Sequence, residues 1–160
     1  MSASSPDAGA TLSLARPVTI VVLCWNRWAL TRRCLDSLRE NTDLSRAEVL
    51  VIDNGSTDET PRGLAAYPWT RTIRNETNLG FVRGNNVGIA ASPAGADVLL
   101  LNNDVVVEQR DWLERLQACA LSAPDVGVVG CRLTMPDGRL LHAGTYVLPD
   151  TLWGQQVGSG

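Results

Sequence analysis

The apolar residues of the chain form short continuous runs that alternate with segments of helical periodicity. Three runs consist almost entirely of aliphatic residues, and they occupy residues 18–23 (VTIVVL), 48–52 (EVLVI) and 97–101 (DVLLL). Such runs, without polar alternation, are typical of parallel strands that are buried on both faces. A fourth, shorter strand is predicted at residues 71–74.

Helical patterns fill the intervals between these runs. Residues 28–40 carry apolar side chains at four-residue intervals, with arginines and acids on the other face, which predicts an amphipathic helix. Residues 56–59 (STDE) have the spacing of a capping box and predict a short helix that runs to about residue 66. Two further helices are predicted to end near residues 91 and 121.

This order of elements predicts an α/β fold, with a mostly parallel, doubly wound sheet and helices on both faces. We expect residues 1–16 to form a flexible tail and residues 17–147 to form the folded domain. Near its end, a Pro-Asp-Gly turn at residues 136–138 predicts a hairpin. Beyond residue 147 the pattern fades into proline, glycine and glutamine.

Composition narrows the possible chemistry. The 160 residues are 44% hydrophobic and 19% charged, as in globular domains, and the net charge of −3 argues against nucleic-acid binding. All 14 basic residues are arginine, which excludes Schiff-base chemistry and P-loop mechanisms that need a lysine. His142 is the single histidine, so a multi-histidine metal site is excluded as well.

The cysteines and the apolar runs indicate a cytoplasmic protein. Cys24, Cys34, Cys119 and Cys131 form no C-x-x-C pair, and we expect them to be buried free thiols in a reducing compartment. No apolar run approaches the roughly 20 residues that span a bilayer. The N-terminus lacks the basic and apolar regions of a signal peptide.

Polar clusters follow the predicted strands, at residues 24–27, 53–56, 78–86 and 102–104. In doubly wound sheets the ligand binds beyond the carboxyl ends of the strands, so these clusters predict the binding site. Trp25 could form a wall of a base pocket there or pack in the core. No G-x-G-x-x-G follows the first strand and no G-x-S-x-G occurs, which disfavours a dehydrogenase and a hydrolase.

Each cluster allows more than one interpretation. The Asp53 carboxylate can accept a hydrogen bond from a base or ribose, or it can cap the next helix, and Asn54 can do either. Backbone N–H groups at a helix start suit a phosphate, and Arg83 could stack on a base or pair with that phosphate. Asn86 belongs to the same polar cluster as Arg83 and could likewise bind a ligand or pack between helix and sheet. The glycines at positions 84 and 88 indicate close packing of helix and sheet.

Residues 102–104 (NND) interrupt an otherwise apolar run. A turn is one interpretation, but the apolar run resumes at once, and we therefore expect the chain to continue without reversing. A carboxylate at Asp104 can hold Mg²⁺ or Mn²⁺, while the amides of Asn102 and Asn103 can bond a ribose or a metal-bound water. One carboxylate binds such a metal weakly, so a substrate diphosphate would have to supply further oxygens.

Taken together, the segments VTIVVLCWN, VLVIDNGSTDET, NLGFVRGNNVGI and LLLNNDVVV resemble family 2 glycosyltransferases of the GT-A fold, over residues 17–147. They are most similar to the bacterial branch that includes rhamnosyltransferases. The resemblance implies that residues 17–147 bind a nucleotide sugar. It implies that Cys24 and Asn26 line the nucleotide site and that Asp53 and Asn54 meet the base or ribose.

The same resemblance places Arg83 and Asn86 near the nucleotide, Asn102 and Asn103 at the ribose or metal shell, and Asp104 on a divalent metal. The D-x-D motif of the family reads Asn-Asn-Asp here, so its first acid is missing. Nothing after Asp104 matches the acidic motif that supplies the catalytic base. We therefore expect residues 148–160 to be an incomplete C-terminal segment, with the base beyond Gly160.

The resulting hypothesis is an inverting glycosyltransferase that uses Mn²⁺ or Mg²⁺. It would move a sugar from a UDP- or dTDP-sugar to a glycan or lipid-linked acceptor in cell-surface polysaccharide synthesis, with peripheral membrane association as an option. One alternative is a non-catalytic module that binds nucleotide sugars. A sugar-nucleotide pyrophosphorylase ranks lower, because Cys-Trp-Asn-Arg stands where that class has a glycine-rich basic loop.

Overall fold

A computed structural model describes residues 14–147 and 154–156 of the chain. Two compact units are present, Met1–Leu113 and Glu114–Gly160. Most of the predicted tail and most of residues 148–160 lie outside the described residues, so the predicted domain boundaries stay predictions. No helix in the described part of the chain is long and apolar enough to cross a membrane.

The first unit contains a four-stranded parallel sheet in the order β3-β2-β1-β4. Its strands are β1 Val18–Cys24, β2 Ala47–Asp53, β3 Arg71–Arg74 and β4 Asp97–Asn102. Its helices are α1 Trp28–Asn41, α2 Thr60–Leu64 and α3 Gly80–Ala91, and α4 Trp112–Ala120 begins at its end. The predicted α/β class and the parallel sheet are confirmed.

Helices cover both faces of the sheet because both faces of its central strands are apolar. Cys34, Leu35 and Leu38 of α1 belong to the larger core cluster with alternate residues of β1 and β2. The opposite face presents Val21, Leu50 and Ile52. These are the side chains under α3, whose Gly88 lies directly over Val21 and Ile52.

The second unit, within the described residues, contains two antiparallel strand pairs. β5 (Leu133–Thr134) pairs with β6 (Leu140–His142), and the predicted turn at residues 136–138 joins them. β7 (Thr145–Val147) pairs with β8 (Gly154–Gln156). The hairpin is confirmed, while β8 was not predicted because its sequence, Gly-Gln-Gln, has no strand pattern.

Two local predictions are wrong. The capping box at residues 56–59 does not form, since α2 begins at Thr60 and the side chain of its N-cap residue, Glu59, makes no capping hydrogen bond. The Ser56 hydroxyl is used elsewhere and accepts a hydrogen bond from the Asn26 N–H. The prediction that all four cysteines are buried is also wrong, because Cys119 and Cys131 are exposed and only Cys24 and Cys34 are buried.

Reactivity should follow this division of the thiols. Burial raises the pKa of both Cys24 and Cys34 to about 12, and nearby Asp53 and Asp104, respectively, add to the effect. Because the thiolate is the reactive form, Ellman's reagent at pH 8 should label two thiols quickly in the folded chain and all four after unfolding. Rapid labelling of three or four thiols in the folded chain would contradict the structure.

The glycines of α3 allow the helix to lie close to the sheet, as predicted. A β-carbon at Gly88 would overlap Val21 Cγ1, which belongs to a stiff, fully buried side chain. Gly84 stands against Leu23 in the same way. Packing therefore explains both residues without a ligand.

The substitution Gly88→Ala should lower the free energy of unfolding by roughly 1–3 kcal/mol, the usual range for overpacking, although alanine favours helix by about 1 kcal/mol. Gly127→Ala is the control, because nothing lies within 4 Å of a β-carbon there. Chemical denaturation measures both variants. A Gly88→Ala chain as stable as the wild type would show that the helix is not held this close.

Candidate functional site

A cavity of about 270 Å³ opens at the carboxyl ends of β1, β2 and β4. The predicted polar clusters meet there because parallel strands end at the same edge of a sheet. Its lining consists mainly of amide side chains, two exposed aromatic residues and backbone, contributed by Leu23, Cys24, Trp25, Asn54, Asn78, Gly80, Phe81, Asn102 and Asn103. No carboxylate is among these lining residues.

The turn after β1 has an unusual backbone. Asn26 and Arg27 both have φ near 55°, in the left-handed region that costs non-glycine residues about 1–2 kcal/mol each. Asn26 Oδ1 accepts hydrogen bonds from the N–H groups of Thr57 (2.8 Å) and Asp58 (3.3 Å). The predicted ligand residue Asn26 thus holds two loops together with its side-chain oxygen.

Asn54 is a second connection between loops. It is 2% exposed, and its Nδ2 donates to Asn78 Oδ1 (2.8 Å). Its Oδ1 accepts from Asn75 Nδ2 (3.0 Å) and from the Leu79 N–H (3.1 Å). The amide therefore fixes the segment before α3 against the end of β2, and it shapes the cavity wall.

Asp53 is buried behind the cavity rather than in its lining, with 1% of its surface exposed. Its Oδ2 accepts a hydrogen bond from Arg74 Nη1 within a salt bridge, and its Oδ1 accepts from the Ser56 N–H at 2.9 Å. The sequence did not reveal Arg74 as its partner. The register of the strands explains this pairing, because Asp53 stands opposite Arg74 at the ends of β2 and β3.

Residues 102–104 form a turn, so the expectation that the chain continues without reversing is wrong. The Val105 N–H reaches back to the Asn102 carbonyl (3.4 Å), and Asn103 Nδ2 donates to Thr31 Oγ1 (2.9 Å). β4 therefore ends in a turn at these polar residues. Asn102 stays exposed at the cavity, and Asp104 stands exposed on the turn.

Within the described residues, no group of three or more metal-ligating side chains exists. A hard divalent cation needs only one or two carboxylates when phosphate oxygens and water complete its shell. Asp104 offers one exposed carboxylate, next in sequence to amide oxygens at the cavity. The donor set therefore fits a cation that arrives with an anionic ligand, rather than one held by the chain alone.

The predicted residues separate into two groups. Cys24, Asn54, Asn102 and Asn103 come together around the cavity. The others do not line it, and this group contains Asn26, Asp53, Arg83, Asn86 and Asp104. Asn78 and Phe81 also belong to the lining, and the sequence indicates them only as members of the predicted cluster at residues 78–86. The individual ligand roles stay predictions.

Comparison with known proteins agrees with the fold. The model of the family described as glycosyl transferase family 2 matches residues 19–144. The O-antigen biosynthesis protein RfbC of Myxococcus xanthus is 36% identical over 132 residues, covering 81% of this chain. Glycosyltransferase AglE of Haloferax volcanii is 30% identical over 128 residues, covering 76% of this chain.

Among solved structures, the mannosyltransferase PcManGT from Pyrobaculum calidifontis, in complex with GDP-Man and Mn²⁺, superimposes with a TM-score of 0.67 and 26% identity over 83% of this chain. The chain spans 10% of RfbC, 41% of AglE and 40% of PcManGT. It therefore corresponds to less than half the length of each of these relatives.

The salt bridge between Asp53 and Arg74 should be a measurable part of the stability. The substitution Arg74→Met leaves a buried carboxylate without its charged donor, and we expect a loss of roughly 1–3 kcal/mol in the free energy of unfolding. The control is Arg62→Met, whose pair with Glu59 is exposed and 3.9 Å long and should contribute little. Equal stability of the two variants, measured by denaturation, would refute the importance of the buried pair.

Proposed function

The chain belongs to glycosyl transferase family 2, and on that premise we propose that its cavity binds the nucleotide sugar donor of a glycosyltransferase. The observation that carries the proposal is the amide-lined cavity at the carboxyl ends of β1, β2 and β4. Amides suit the edges of a base and the hydroxyls of a ribose, since they both donate and accept hydrogen bonds. Trp25 and Phe81, 54% and 62% exposed, suit stacking on a flat base.

In the proposed complex Asn102 and Asn103 contact the base or ribose, with Cys24 against the nucleotide. Asn54 shapes the wall beside them, because its amide oxygen and nitrogen are already engaged in hydrogen bonds between the loops. Asp53 and Asn26 act behind them as supports of the cavity wall. Arg83 and Asn86 lie on the exposed side of α3, where they reach the donor only beyond the cavity itself. The position of each side chain relative to the cavity supports these proposed roles.

Asp104 is proposed as the ligand of Mn²⁺ or Mg²⁺, with the donor diphosphate supplying further oxygens. The bound cation would neutralise the charge that develops on the leaving diphosphate. Mn²⁺ accompanies GDP-Man in the PcManGT complex, which supports the choice of metal class. It also adds GDP-sugars to the UDP- and dTDP-sugars as donors to be tested.

For the whole protein we propose inverting transfer to a glycan or lipid-linked acceptor in cell-surface polysaccharide synthesis. The name of RfbC, an O-antigen biosynthesis protein, supports that context. The proposed location is the cytoplasm, at the inner face of the membrane where the acceptor is lipid-linked. No residue of this chain is proposed as the catalytic base, so binding without turnover is the second candidate. It is supported by the lining of the cavity, which contains no carboxylate among the residues that the structure describes.

Calorimetric titration with UDP, dTDP and GDP, with and without Mn²⁺, tests the proposal. We expect at least one nucleotide to bind about tenfold more tightly with Mn²⁺, a gain of about 1.4 kcal/mol. Asp104→Ala should remove this gain without unfolding the chain, because its side chain is exposed. Glu108→Ala, which removes another exposed acid of the same segment, is the matched control and should retain the gain.

The outcomes separate the candidates. Metal-dependent binding without transfer or donor hydrolysis would indicate the binding module. Failure of a folded chain to bind any of the three nucleotides would refute both the transferase and the module. A Mn²⁺ effect that survives in Asp104→Ala would refute the metal role of that residue alone.

A further inference from the structure

Trp25 stands at the cavity with more than half of its side chain exposed. So exposed a side chain has little packing to orient it, and its direction depends on the backbone on either side. Both flanking peptide groups are tied to the loop after β2. The Cys24 carbonyl accepts from the Asn54 N–H (2.8 Å), and the Asn26 N–H donates to Ser56 Oγ (2.8 Å).

The backbone just after Trp25 is in a disfavoured conformation. Asn26 and Arg27 are both left-handed, and non-glycine residues keep that conformation only when surrounding contacts hold it. Asn26 Oδ1 provides one set of contacts, to the loop N–H groups. The Ser56 hydroxyl provides the contact to the backbone itself, at the N–H of the first left-handed residue.

Ser56 is well placed to act as a fixed anchor. It is fully buried, its N–H donates to Asp53 Oδ1 (2.9 Å), and its carbonyl accepts from Arg74 Nη2 (2.7 Å). A chain of hydrogen bonds thus runs from β3 through Ser56 to the peptide beside Trp25. Ser56 is not among the residues that line the cavity, so any effect on a ligand must pass through another residue.

We propose that Ser56 is a positioning residue, whose hydroxyl holds the left-handed turn at Asn26 and Arg27 and thereby fixes Trp25 at the mouth of the cavity. The inference rests on the proposed function, because it makes Trp25 the aromatic wall for the nucleotide base. The geometry of the donor site then depends on the buried Ser56 hydroxyl, which does not contact the ligand.

A double-mutant cycle tests the route through Trp25. Nucleotide affinity is measured by calorimetry with Mn²⁺ and UDP, dTDP or GDP, whichever binds most tightly to the wild-type chain. Ser56→Ala should weaken binding about tenfold, and Trp25→Ala should weaken it at least as much. In the Trp25→Ala background, Ser56→Ala should cost nothing further, because residues that act through one contact are not additive. An equal cost in both backgrounds would overturn the proposal.

A rescue distinguishes positioning from general destabilisation. Glycine adopts positive φ without steric cost, so Arg27→Gly should restore most of the affinity lost in Ser56→Ala. The matched control is Ser92→Ala, which removes the hydroxyl that donates to the Gly88 carbonyl (2.9 Å) away from the cavity. It should lower stability without changing affinity. No recovery by Arg27→Gly, with both chains folded, would contradict the proposed turn mechanism.

A measurement without nucleotide keeps this test separate from the proposed function. The chain is labelled with 5-fluorotryptophan, and Trp25→Phe identifies the Trp25 resonance among the five tryptophans. Fluorine NMR should show one narrow Trp25 signal in the wild type, a shifted or broadened signal in Ser56→Ala, and recovery with Arg27→Gly. An unchanged signal in Ser56→Ala would overturn the positioning role. Absence of nucleotide binding with the expected fluorine spectra would refute only the proposed function.

Discussion

The candidate site depends on the contact between the end of β1 and the residues that follow β2. These strands are parallel neighbours that end together, with Cys24 opposite Asp53. A buried peptide group without a partner would be costly at this point. The Asn54 N–H donates to the Cys24 carbonyl, and the Asn26 N–H donates to the Ser56 hydroxyl, so the two segments are joined just beyond the strands. The cavity is built on these hydrogen bonds.

The sheet was predictable because its strands are buried on both faces. Continuous apolar runs record burial on both faces, and burial is a local property of each residue type. The predicted strand at residues 18–23 became β1 with one residue more, and β4 ended one residue later than residues 97–101. Gly84 and Gly88 were also interpreted correctly as close packing, because small residues at four-residue spacing in a helix mark one face.

Polar side chains are different, because the same residue type can cap a helix, bind a ligand or join two loops. Asp53 was predicted to meet a ligand or cap a helix, yet it pairs with an arginine 21 residues away. Ser56 matched a capping box, yet it bonds a peptide 30 residues earlier. No spacing in the sequence encodes these partners. Only the register of β1, β2 and β3 brings them together. The position of the cavity was therefore predictable from the sequence, whereas the partner of each polar side chain was not.

The cavity lining contains no charged side chain, whereas the carboxylate of Asp104 lies outside the lining, and this separation has an electrostatic consequence. The cavity is lined by neutral amides, and Gly80 at its wall is the first residue of α3, whose N-terminus carries the positive end of the helix dipole. Such a lining favours an anionic ligand over a neutral one. In the proposed donor complex Asp104 would oppose that preference, because a carboxylate repels a diphosphate that lies near it. The divalent cation that we propose between the two would reverse the sign of the interaction, so that the acid would disfavour the bare anion and favour its metal complex.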